Sequence, residues 1–337
     1  MAFSKDLLIF LTLLLACALL FILNISVGSV SIPFSEVVSI LFDGDSEKPT
    51  WRTIVHLSRL PGAVTAAIAG SALAVSGLLV QTMFRNPLAG PSVLGISSGA
   101  SLGVALVMLL FAGAGMVSYS AVVFAAVLGA GAVLVLILMV AQRMSDNVTL
   151  LIFGLMLGYA ISAIVSVLEF QSENASLRAF VNWGFGSFSG NTWEQVRILS
   201  AIGLGGLLLS LTTIKPLDAW LLGEDHAMSV GVNTKRTRIL VITVVGVLAG
   251  TITAFCGPIA FLGLATPHLA RGLWPVTRHR SAIPLVALVG AMLALACDLI
   301  SRIPGSEGIL PLNAVTSMVG APVVIWVILR NRYRSIF

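Results

Sequence analysis

Apolar runs of about bilayer length alternate with short polar breaks along nearly the whole chain. They predict membrane-spanning helices at 7–28, 62–83, 93–112, 120–141, 148–169, 194–213, 239–256, 260–273, 282–300 and 313–330. The eighth is short because Gly257, Pro258, Gly263 and Pro267 interrupt it. Membranes tolerate such a broken helix where its backbone faces protein or a water-filled cavity. Residues 29–58 form a polar interval, with a short amphipathic piece at 33–42 and an acidic patch at Asp43, Asp45 and Glu47. Lys5 and the lack of a small-residue cleavage site predict a retained first helix and not a removed signal peptide. The expected fold class is all-α, one integral membrane domain over 1–337 with loops too short for a soluble domain.

The chain is organised around 59–103, RLPGAVTAAIAGSALAVSGLLVQTMFRNPLAGPSVLGISSGASLG. Gly70, Ser71, Ala74, Ser76 and Gly77 suit close approach of neighbouring helix backbones in a membrane. The elbow at 85–91 holds Pro87, Gly90 and Pro91, which do not continue a helix. Spans two to five and seven to ten are a candidate inverted repeat, an architecture common in transporters. The match between halves is slight, NPLAGPSVLG against GPIAFLGLATP.

Composition agrees with a polytopic membrane protein: 58% hydrophobic residues, 10% charged, mean hydropathy +1.04. Soluble chains carry about 25% charged residues. The net charge of +5 is not a nucleic-acid signal, because its distribution follows membrane topology. With the N-terminus inside, thirteen of the nineteen Lys and Arg residues fall in cytoplasmic segments, which places both termini on the cytoplasmic side. Cys17, Cys256 and Cys297 lie in apolar runs without CxxC spacing and read as inert core thiols.

Several chemistries are missing. There is no GxxxxGK[ST], no HExxH, no GxSxG and no metal-ligand spacing. Gly203, Gly205 and Gly206 lie inside a span and read as helix packing. If transport is driven by ATP, another subunit must hydrolyse it. An ATP-independent secondary transporter would place charged residues at mid-membrane. Here Glu169 and Asp298 both fall at outer span ends. A membrane enzyme would need a nucleophile or metal constellation that the sequence lacks.

Four stretches are candidates for function. The elbow 85–91 reads either as an ordinary tight turn or as a constriction lined by Asn86 and Leu88. Interval 215–238 contains LLGEDHAMSVGVN, in which Glu224 and Asp225 open a short helix and Gly231 and Asn233 close it. That helix is either a knob for a partner's groove or a plain interfacial helix. In GPIAFLGLATPHLAR, His268 stands without a second ligand and is more often structural than metal-binding. Arg59 and Arg302 form either a basic rim for a partner's carboxylates or membrane anchors, with Asp298–Arg302 at i,i+4 spacing.

Taken together the motifs resemble the permease subunit of FecCD-type ABC importers. The marks are RLPGAV, SGLLVQTMFRNPLAGPSVLGISSGA, WGFGSF, LLGEDHAMSVGVN, GPIAFLGLATPHLAR, RHRSAIPL and LPLNAVTSMVGAPVVIWVIL. The resemblance implies a vitamin-B12-importer-like fold of ten helices, paired as a homodimer in the bacterial inner membrane. It implies two cytoplasmic ATPase subunits that use ATP and Mg²⁺, a periplasmic or lipid-anchored substrate-binding protein, and no cofactor bound by this chain.

By the same resemblance Asn86, Pro87 and Leu88, with Ser145, Asn147 and Thr149, form the cytoplasmic gates. Leu222, Gly223, Glu224, Asp225, His226, Met228 and Gly231 would couple to the ATPases. Arg59 and Arg302 would meet glutamates of the binding protein. The family often has a second Arg where Gly62 stands, so one docking contact would be either lost or replaced by Arg52. Gly is common where Asn313 stands, a departure that puts nothing essential in doubt. The implied substrate is an iron chelate, a ferric siderophore first, with haem and cobalamin as alternatives. Phe170, Phe180 and Trp183 would suit a flat macrocycle or an interfacial aromatic belt.

Overall fold

The structure is a computed structural model and describes residues 2–28, 30, 32–42, 44, 46, 48–110, 118–144, 146–302 and 310–332. The acidic patch at Asp43, Asp45 and Glu47 and the gate residue Ser145 lie outside the described residues. Helix α1 (Ala2–Ser26) is followed by short helices α2 (Phe34–Phe42) and α3 (Pro49–Ile54). A π-helical turn at Val55–Arg59 joins α3 to α4 (Leu60–Met83). A 3₁₀ turn at Pro91–Leu94 leads into α5 (Ile96–Ala105), extended by a π-helical turn at Leu106–Leu110. Next come α6 (Tyr119–Arg143), α7 (Asn147–Gln171) and the short α8 (Asn174–Gly184). Helix α9 (Trp193–Ser210) runs through a 3₁₀ turn into α10 (Ile214–Trp220), then α11 (Glu224–Ser229). The chain closes with α12 (Thr234–Cys256), α13 (Leu262–Leu273), α14 (His279–Ser301) and α15 (Leu312–Arg332).

Among the described residues seven helices are long and apolar enough to cross a membrane, and Ile96–Leu110 and Leu312–Val327 are shorter apolar helices. With the twelve-residue α13 these account for all ten predicted spans. Helical geometry satisfies the backbone within each segment, as a bilayer demands. The second span extends further than expected, as the end of a continuous 35-residue helix from Pro49 to Met83. Pro61 reads as a helix start because it lacks an N–H. The wider π-helical turn just ahead of it keeps the chain helical instead. Helix α9 likewise continues past its expected end, because Leu217 and Trp220 of α10 are fully buried.

Helices α4 and α12 form the centre. The most apolar window of α4 is 78% buried and that of α12 72%, against 11% for α1 and 22% for α7. Small residues allow this density. A β-carbon at Gly70 would strike the Gly290 carbonyl of α14, and one at Gly77 would strike that of Gly263 on α13. The pairings are reciprocal between the two halves. Helix α4 lies against α13 and α14 while α12 lies against α5 and α6; α5 packs on α6 and α7 while α13 packs on α14 and α15. That is the pattern two inverted copies would make. The outer helices keep apolar faces, including Ile152, Met156, Tyr159, Ile164 and Val167 of α7.

Candidate functional site: two turns and the segment beside them

At one end of the bundle α4 stops at Phe84, and Arg85 takes a left-handed conformation, φ +47°. The Asn86 side chain accepts the Leu88 N–H at 2.9 Å, and the Ala89 N–H reaches the Asn86 carbonyl at 3.1 Å. The turn therefore folds on itself and pushes Leu88 outward, where it is exposed. His268 of α13 donates from Nε2 to the Pro87 carbonyl at 2.7 Å. Its partner is this turn: among the described residues no cluster of three His, Cys, Asp or Glu could hold a metal ion.

At the start of α7 the second turn is built by Asp146. Its carboxylate accepts the Thr149 N–H at 2.7 Å, the Thr149 hydroxyl at 2.5 Å and the Val148 N–H at 3.3 Å, capping α7. These bonds, the Thr149 hydroxyl first, hold the Asp146 carboxyl below the usual carboxylate range.

Segment 222–233 leaves the membrane-length helices at Gly223, φ +116°, a conformation open to glycine and strained for other residues. The short helix α11 begins with Glu224 and Asp225, and Gly231, φ +85°, ends it. Leu222 is 71% exposed, and Met228, Val230 and His226 are exposed beside it. Such exposed apolar side chains suit a knob for a partner's groove and a plain interfacial helix alike.

Arg238, four residues into α12 and 3% exposed, ties this segment to the second turn. Its guanidinium donates to Glu224 Oε1 at 2.8 Å, to Asn147 Oδ1 at 2.9 Å and to the Met144 carbonyl at 3.0 Å. Asn147 closes the ring by donating to Glu224 Oε2 at 3.2 Å. A second linkage serves α10. Asp218 accepts both the backbone N–H and Nδ1 of His279, at 2.8 and 2.7 Å, and His279 Nε2 lies 3.0 Å from the Thr82 hydroxyl near the end of α4. Sequence reading assigned no role to Arg238, Asp218, His279 or Thr82. The available signal was that Arg238, within a basic run, lies one turn inside an apolar helix.

Between the ends, both helix breaks open onto one cavity of about 270 Å³, lined by Leu88, Pro91 and Ser97 from one half and Pro258, Phe261 and Asn313 from the other. Asn313 holds the second break. It donates to the Gly184 and Pro258 carbonyls at 2.9 and 2.7 Å and accepts the Ala260 N–H at 2.8 Å. The side chain that stands at 313 thus satisfies backbone groups that the broken helix leaves without partners.

At the opposite end the expected rim is largely turned inward. Arg59 is 5% exposed and donates to the carbonyls of Ile25 and Ser26, at 2.8 and 2.6 Å, and to that of Val30. Arg302 pairs with Asp298 at 2.5 Å and with the Ser189 hydroxyl at 3.0 Å, and Asn24 donates to the same Asp298 carboxylate at 2.8 Å. Within the chain, then, Arg59 serves main-chain carbonyls, and Arg302 serves a carboxylate and a hydroxyl. Gly62 fits the arrangement, since a β-carbon there would stand 3.2 Å from the Arg302 guanidinium. Arg52 remains exposed. Phe180 is buried with its ring 6.0 Å from that of Trp183, while Phe170 is exposed, so the three aromatics make no common platform.

A profile of the FecCD transport family covers residues 14–330. The vitamin B12 import system permease protein BtuC of Vibrio cholerae is 36% identical over 274 residues, 81% of this chain and 82% of that protein. The protein of the same name from Klebsiella pneumoniae is 35% identical over 277 residues, 82% of each. A solved ABC transporter of metal-chelate type, in an inward-facing conformation, superposes with a TM-score of 0.83 at 28% identity, covering 96% of this chain and 99% of that one. PsaBC from Streptococcus pneumoniae shares the fold at a TM-score of 0.52 and 16% identity. The chain belongs to the FecCD transport family, multi-pass membrane permeases of ABC importers in which ATP hydrolysis resides on separate ATPase subunits.

Proposed function

We propose that this permease passes a cobalt corrinoid across the bacterial inner membrane, as a homodimer with both termini in the cytoplasm. Its partners are two ATPases, which use ATP and Mg²⁺, and a binding protein that delivers substrate from outside. The turns at Asn86–Leu88 and Asn147–Thr149 are the cytoplasmic gates, and the exposed Leu222, Met228 and Val230 seat the ATPases. The observation that carries this reading is the Arg238 ring, which fixes the candidate ATPase-contact segment to a candidate gate turn. A knob that only rested on the membrane would need no such tie.

The corrinoid is favoured over the iron chelate expected from sequence because relatives at 34–36% identity are vitamin B12 permeases. A ferric siderophore is the second reading, supported by the likeness to a metal-chelate type transporter. The apolar face of α7 supports pairing with a second copy. Arg52 is the docking contact retained at the outer end.

The test offers labelled cobalamin, a ferric siderophore and haem separately to cells that lack their own permeases and express this chain with its ATPase and binding protein. Saturable cobalamin uptake is expected. Uptake of the siderophore or haem without cobalamin would overturn the corrinoid assignment.

A further inference from the structure

Arg238 is the residue through which segment 222–233 and the turn at the start of α7 move as one body: we propose that it is a positioning residue whose guanidinium transmits displacement of α11 to the second gate. The inference rests on the functional reading above and adds the physical link that reading lacks.

Helix α11 leans on α10 and α12. Its tie to the start of α7 is polar. A cavity of about 570 Å³, lined by Arg85, Arg143, Met144, Asp225, Met228 and Lys235, opens between α11 and the end of α6. Across this space Glu224 reaches Asn147 and Arg238 together, using one carboxylate oxygen for each. Arg238 also donates to Asn147 and to the carbonyl of Met144, the residue that ends α6. Three charge-assisted or carbonyl contacts from one planar group fix position and direction at once. A lysine presents one point charge on a flexible stem and cannot reproduce that fork.

The geometry also explains why a charge is placed here. A coupled displacement requires that the ties between α11 and the turn cost more to break than the motion itself. A buried guanidinium that loses its carboxylate is left uncompensated, so the ring opens reluctantly. Apolar packing across a cavity would slide. The ring converts a push on the exposed Leu222 and Met228 into movement of Asn147 and the N-terminus of α7.

The test uses the full complex of permease, ATPase and binding protein, in a chain whose Cys17, Cys256 and Cys297 are replaced. Spin labels at Met228→Cys and Val148→Cys, both exposed positions, report the distance between α11 and the turn with and without ATP. Three variants are compared: Arg238→Lys, Glu224→Gln and Asn147→Ala. The last leaves the Arg238–Glu224 pair intact and so tests the linkage even if a charge variant fails to fold. Narrow, ATP-insensitive distances are expected for the parent chain and broadened ones for all three variants. Substrate imported per ATP hydrolysed should fall about tenfold in all three variants.

Distances that stay narrow in Asn147→Ala, with or without a change in transport, would overturn the proposal. So would uptake per ATP unchanged in that variant. Failure of the underlying reading is distinguishable. A Ser229→Cys parent chain that gives no cross-link to the ATPase would remove the ATPase contact itself, while the label distances would still report whether the ring binds the two elements together.

Discussion

His268 of α13 holds the carbonyl of Pro87 at 2.7 Å, so the broken helix of the second half anchors the first turn of the opposite half. One such bond contributes about 1 kcal/mol net. His268→Ala is therefore expected to speed amide exchange in the turn 86–90 by about fivefold, leaving exchange in α4 unchanged. Equal protection in the variant would show that the turn holds itself, through Asn86 alone.

Close backbone approach at the centre of the bundle makes glycine substitutions unequal. Gly77→Ala forces α4 from α13 and should destabilise the protein by about 1–3 kcal/mol. Gly205→Ala, with open space around it, should not. Thermal unfolding in detergent compares them. Equal melting temperatures would mean that the two helices part at no cost.

Asp146 gives the α7 cap a pH dependence of known sign. Its folded-state pKa lies below the unfolded value, so the cap's contribution is present above the unfolded pKa, about 4. That contribution is lost as the pH falls through the folded value. The stability difference between the parent and Asp146→Ala should be constant near neutrality and shrink in acid. A difference that grew in acid would contradict the assignment.

Arg59 is expected to behave as a structural residue. Arg59→Gln leaves the carbonyls of Ile25, Ser26 and Val30 short of donors and should cost about 2 kcal/mol of stability. Affinity for the binding protein should be unchanged. Intact stability with lost docking would support the partner-facing role expected from sequence.

Which parts were legible follows from the range of the interactions. The ten spans came from apolar runs, and the breaks at 85–91 and 257–261 from Pro and Gly, all local signals. The rotation of Arg59 about its helix was not legible: a basic residue at a span end reads alike whether it faces a partner or the carbonyls of α1. Arg238 and Asn147 are 91 residues apart, and Asn313 and Gly184 are 129 apart. No periodicity in either segment records such a meeting. The continuity of α3 with α4 was hidden because Pro61 looks like a first-turn residue, and only the π-helical turn ahead of it reconciles the two.

The most direct measurement is uptake of labelled substrate into proteoliposomes holding the permease with its ATPase and binding protein, energised either by ATP or by an imposed ion gradient. The account predicts accumulation with ATP, dependence on the ATPase subunit, and none with the gradient alone. Accumulation driven by a gradient without the ATPase would contradict it and make this chain a secondary transporter.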